Sequence, residues 1–147
     1  MTNVLLAVAA TVLLAADDPK AEAKKELAKL EGTWKTEQVK YNGEDVSDQV
    51  KLTLVLKGDQ VTLEGNDEVK KDYAKVSVKV DPTTSPRCLD IKVLGGQQKD
   101  ATMEGIYEVK GDRLRLCVKV LGKDRPGKFE SPEGSSIALL VLKRDKP

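Results

Sequence analysis

In KLTLVLKGDQVTLEG, Lys51–Gly65, apolar side chains fall at every second position: Leu52, Leu54 and Leu56, then Val61 and Leu63 after a turn centred on Lys57 and Gly58. Successive side chains of a strand point to opposite faces, so this stretch buries one face only as a β-hairpin. The wording recurs in IYEVKGDRLRLCVKV, with Tyr107 and Val109 before a second KGD turn and Leu114, Leu116, Val118 and Val120 after it. If Leu56 pairs with Val61, the matching register pairs Val109 with Leu114, and all the named side chains then share a face.

Between these hairpins, AKVSVKVD places Ala74, Val76, Val78 and Val80 on one face, and CLDIKV does the same with Leu89, Ile91 and Val93, across a DPTTSP turn. GTWKTEQVKY opens the series and SIALLVLKR closes it. About eight short strands with turn-rich junctions and no crossover helix predict an all-β fold, an antiparallel up-and-down β-barrel, with a sandwich as the alternative. The opposite strand positions carry Glu104, Glu108, Arg113, Arg115 and Lys119, so one face is expected to be solvated. Ahead of the strands, DDPKAEAKKELAKLEG reads as a short helix with Asp18 as N-cap, Pro19 at its first position and Gly32 near its stop. Ala23, Leu27 and Leu30 give it a narrow apolar stripe, enough for a plug and too little for an independent helix.

The N-terminus has an apolar run, Val4–Ala16, followed by Asp17, Asp18 and Pro19. At about thirteen residues it is too short for a relaxed membrane span of about twenty, and Ala15 and Ala16 suit cleavage. Residues 1–16 are expected to be a signal peptide, with a buried or frayed helix as the alternative, and residues 17–147 a single domain placed outside the cytoplasm, periplasmic or secreted. No basic residue precedes the run, and Leu14 is larger than the position two before a cleavage site prefers. No stable membrane span is expected.

Composition narrows the function. The chain has no histidine, which removes Ser-His-Asp and Cys-His nucleophiles and histidine metal sites together. GNDEVKKD, the nearest acidic cluster, lacks the alternating ligands of an EF-hand loop. Catalytic residues, metal ligands and cofactors are therefore expected to be absent. Lys and Arg number 25 against 24 Asp and Glu, leaving no field to draw in a polyanion, and aromatic residues at 3% supply few stacking platforms. Nucleic acid is not an expected partner. A monomer is.

LEGTWK after a short helix, the DPTTSP turn, GIYEVKGDRLRLCV, and RPGKFESPEGSS leading into ALLVLKR occur here in that order. In combination they resemble an uncharacterised lipocalin-like domain family abundant in planctomycete bacteria. The resemblance covers Leu27 to Arg144 and implies an exported, lipocalin-like barrel with no established activity. The chain departs from that family's pattern at Cys88. Gly32-Thr33-Trp34 also matches the Gly-X-Trp that opens lipocalin barrels, where the Trp closes the barrel floor beneath a basic residue from the last strand. Carried over, Arg144 is that residue, with Lys143 as second choice. A guanidinium stacked on an indole shields it from water and contributes about 0.5 to 2 kcal/mol. The plainer alternative is that Trp34 is only a core residue.

A ligand site in such a barrel is its interior. The inward set Leu54, Leu63, Val78, Ile91, Tyr107 and Leu116 is aliphatic apart from one hydroxyl, which suits a small apolar ligand. Either the interior holds such a molecule, or these side chains fill it and the charged outer face and rim loops contact another envelope protein. An enzyme is the least favoured class, since Asp and Glu fall on outward positions or in turns. Gly105, opposite Val118, marks either a strand bend or local room.

GKDRPGK, Gly122–Lys128, has the spacing of a phosphate-cradling loop. Phe129 stands where Ser or Thr would hold magnesium, and ESPEGSS runs on into a strand. The stretch is expected to be a long rim loop, stiffened by Pro126, with Phe129 tucked inward as a lid or anchor on the ligand. The same meander puts Cys88 and Cys117 on strands separated by a third, about twice the strand spacing of ~4.8 Å. That exceeds the disulfide reach of ~7 Å, so two free thiols are expected.

Overall fold

The structure, a computed structural model, describes residues 18–146; the expected leader, residues 1–16, lies outside them. In chain order the elements are α1 (Pro19–Leu30), β1 (Gly32–Tyr41), β2 (Glu44–Asp45), β3 (Thr53–Lys57), β4 (Gln60–Glu64), α2 (Asp67–Asp72), β5 (Lys75–Asp81), β6 (Arg87–Gly95), β7 (Thr102–Lys110), β8 (Arg113–Lys119) and β9 (Ile137–Arg144). Each strand from β3 to β9 pairs antiparallel with the next, β1 pairs with β3, and β9 returns to β1 from Trp34↔Arg144 to Tyr41↔Ala138. Eight strands thus close into an all-β, lipocalin-like up-and-down barrel, which removes the sandwich alternative. β2 is an additional short strand on β1.

The hairpin registers follow the sequence: Leu56 faces Val61 and Val109 faces Leu114. Both loops have two residues, Gly58-Asp59 and Gly111-Asp112, with the glycine at positive φ. A two-residue hairpin loop needs that conformation to match the twist of its strands. Inward positions of neighbouring strands form the core, with Leu54, Leu56, Val76, Val78, Leu89, Ile91, Leu114 and Val118 buried. Outside, Glu104 faces Lys119 and Glu108 faces Arg115, the cross-strand pairing of opposite charges that a solvated face favours, while the two cations Lys110 and Arg113, which also face each other, turn to Glu108 and Glu37.

The outer wall departs from the sequence expectation at one place. Ile106 and Cys117 point outward and are nonetheless buried, because the β8–β9 connection runs along the outside of β6–β8 and covers them. Arg125 clamps this strap: its Nη1 donates to the Leu89 and Gly105 carbonyls at 2.9 and 2.7 Å, and its Nη2 to Asp90 at 2.6 Å. The Cys117 thiol donates to the Lys128 and Glu130 carbonyls. Burial raises the Cys117 pKa. Gly105 offers no spare room, since a Cβ there would lie 2.6 Å from the Cys117 carbonyl oxygen: the neighbouring backbone passes too close for any side chain. Cys88 and Cys117 both face Ile106 across the ladder, so one strand separates them and both are free thiols.

Candidate functional site

α1 lies across the barrel end formed by the first residues of β1 and the last of β9. Asp18 caps its start, with Oδ1 accepting from the Lys20 amide at 3.1 Å. Its last carbonyls, which a helix leaves without partners, are taken up by two side chains. The Trp34 indole N–H donates to the Leu30 carbonyl at 2.9 Å, and the Arg144 guanidinium to those of Lys29 and Glu31 at 2.8 and 2.6 Å. The same guanidinium stacks on Trp34, 4.2 Å from the ring centroid, and Trp34 is only 1% exposed. Gly32 leaves room for it: a Cβ there would sit 2.9 Å from Arg144 Nη1, at a φ of +128°. Trp34 and Arg144 therefore close the floor as the Gly-X-Trp resemblance implies, and they fasten α1 as well.

A second fastening was not legible in the apolar pattern. Glu26, 4% exposed, turns from α1 toward the barrel, where its Oε1 accepts from the Tyr107 hydroxyl at 3.0 Å and from Arg87 Nη1 at 3.2 Å. Its Oε2 lies 3.9 Å from Lys29 Nζ. A buried carboxylate is tolerable only with such partners. Burial, and then the bond to Glu26, push the Tyr107 phenol far above its usual pKa, so it stays protonated and donates. The position was a usable signal: Glu26 is three residues after Ala23 and four before Leu30, on the inward stripe of the helix.

Above this floor the interior is not filled. A cavity of about 190 Å³ runs from Leu30 and Trp34 at the α1 end to Val69 and Tyr73 beside α2. Its exposed wall is wholly apolar. All six interior residues expected from sequence, Leu54, Leu63, Val78, Ile91, Tyr107 and Leu116, line it. Phe129 does not. It lies outside the barrel under the Arg115 guanidinium, with Cζ 4.2 Å from the ring centroid, while Arg115 also bonds Glu108. The expectation of an inward lid is corrected: β8 directs Arg115 outward, and the ring follows its cationic partner to the outer wall.

The opposite end is closed less firmly. β4 and β5 pair only from Gln60↔Ser77 to Thr62↔Lys75, after which the chain leaves the wall to form α2. Asn66 caps α2 through Oδ1 and the Val69 amide, and bonds the Gln49 carbonyl at 3.0 Å. At its other end the Lys71 and Asp72 carbonyls accept from the Gln97 and Gln98 amides. No residue of α2 is fully buried. The sequence held a charge signal for it, with acids in the first turn and lysines in the last, but six residues are too few to show a period.

Gly122–Ser136 passes from β8 to β9 with no helix, so the strand-to-helix setting of a phosphate cradle is missing there. Among the described residues no helix is long and apolar enough to cross a membrane. Comparison with family models, with curated proteins and with solved structures finds no match to this chain.

Proposed function

We propose that this chain is a binding protein for a small, neutral, apolar molecule held inside the barrel, and that it belongs with exported lipocalin-like domains. The unfilled apolar cavity supports this reading over a barrel packed solid by its own side chains. Core side chains of native proteins pack to high density with few voids larger than a water. A wall of Leu, Val and Ile around about 190 Å³ gives water no polar partners, and apolar cavities of about 150 Å³ stay dry and take up benzene-sized molecules. The inward positions offer such a guest dispersion contacts on every side and no charge.

Titration with benzene, followed by methyl NMR, tests the proposal. Resonances of Leu54, Leu63, Val78 and Ile91 are expected to shift together and saturably, and Val78→Phe, which fills the space, to abolish the shifts. Unperturbed methyls at saturating benzene would sink the reading. The run Val4–Ala16 supports an extracytoplasmic location, and the intact mass of the exported protein checks it. Retention of Met1 in the extracytoplasmic fraction would count against cleavage near Asp17.

A further inference from the structure

Two of the side chains around the cavity carry polar tips that both point away from it. The Trp34 N–H is spent on the Leu30 carbonyl and the Tyr107 hydroxyl on Glu26. Tyr107 is 2% exposed and its ring forms part of the cavity wall, yet the wall presents no polar surface. Its hydroxyl must therefore be drawn out of the interior, and the Glu26 carboxylate, reaching in from α1, is the group that draws it. We propose that Glu26 is a specificity-determining positioning residue: by accepting the Tyr107 hydroxyl it leaves only hydrocarbon facing the ligand, so the site selects molecules without hydrogen-bonding groups.

The physical reason lies in pairing. A ligand hydroxyl entering this cavity loses its water and finds neither a donor nor an acceptor, a penalty that water-to-cavity transfer of a hydrocarbon does not carry. Without the Glu26 acceptor, the Tyr107 hydroxyl becomes an unpaired buried group beside the cavity, able to donate to or accept from a ligand. Arg87, with its side chain 42% exposed, has solvent available as a substitute partner. The change therefore falls on Tyr107.

This inference rests on the apolar-ligand reading, and its test separates the two. The probes are toluene and phenol, nearly equal in shape and differing by a methyl for a hydroxyl; the readout is the ratio of their dissociation constants in each variant of the full-length chain. Glu26→Ala is expected to shift that ratio toward phenol by about tenfold, the order expected for one satisfied buried hydroxyl. Glu26→Gln retains a side-chain oxygen to accept from Tyr107 and is expected to hold the wild-type ratio. In a Tyr107→Phe background, Glu26→Ala should no longer move it. Should the alanine variant not fold, Glu26→Leu removes the acceptor while keeping volume and must shift the ratio in the same direction. Wild-type protein that binds no toluene overturns the ligand reading itself. Toluene binding with a ratio unchanged by loss of the acceptor, or equally changed in the Tyr107→Phe background, overturns the role of Glu26 alone.

Discussion

The two ends of the barrel are closed by helices in opposite ways. At the α1 end, an indole, two guanidinium groups and a phenol reach from four different strands to hold one helix, and both Leu30 and Glu26 are buried in the joint. At the α2 end, a six-residue helix is held by its N-cap and by backbone bonds to the β6–β7 loop, and presents only half-buried Val69 and Tyr73 to the interior. Side chains interlocked with several strands break cooperatively, whereas a short helix hung on backbone bonds opens locally at low cost. The α2 end is thus the expected way in and out of the cavity, and the α1 end its fixed base.

The largest effect that can break this contrast is at Trp34. Trp34→Ala removes the floor and a helix-capping donor together, and is expected to cost about 3–5 kcal/mol in chemical denaturation. A loss below about 1 kcal/mol, on the scale of a surface substitution, would show that the base is not where the stability resides.

Gly96→Ala is the corresponding probe of the other end. A Cβ there would lie 2.5 Å from the Asp72 carbonyl oxygen, at a φ of +98°. The expected loss is about 1–2 kcal/mol, accompanied by faster uptake of an apolar dye as α2 is pushed off its loop. Unchanged uptake with the same loss of stability would move the mouth of the cavity elsewhere.

What could be read beforehand divides along the same line. Period-two alternation with a Gly at each tight turn determines strand register, because a slip of one residue would turn every Leu and Val to water. The six interior positions were therefore legible, and so was the barrel. The fastening by Glu26 is not legible in the sequence, because burial of a charge depends on partners, Tyr107 and Arg87, that are 81 and 61 residues away. The outward turn of Phe129 is hidden for a similar reason. A loop has no period, and the side to which its one ring turns is decided by Arg115 on another element.

Smaller effects sharpen the contrast. Arg144→Ala is expected to lower stability by about 1 kcal/mol through lost stacking and to red-shift the emission of the only tryptophan in the chain. Identical emission would leave the floor role to Trp34 alone. Smallest in energy is the thiol pair: a titration of denatured, unreduced protein should find both thiols, whereas alkylation of the native protein should mark Cys88 and spare Cys117. Burial raises the Cys117 pKa, and the strap covers its sulfur. Equal rates at the two would mean that the Arg125 clamp opens readily.

The pairing of β9 with β1 has a consequence for self-association. A sheet that ends in a long bare strand offers rows of free N–H and C=O groups on which another molecule can extend it. Here β2 alone is paired on one side only among the described strands, and it consists of Glu44 and Asp45, both exposed. A fibril growing on that edge would stack carboxylates at the strand spacing of ~4.8 Å, so their mutual repulsion guards the one-sided edge among the described strands against templating a copy of the barrel.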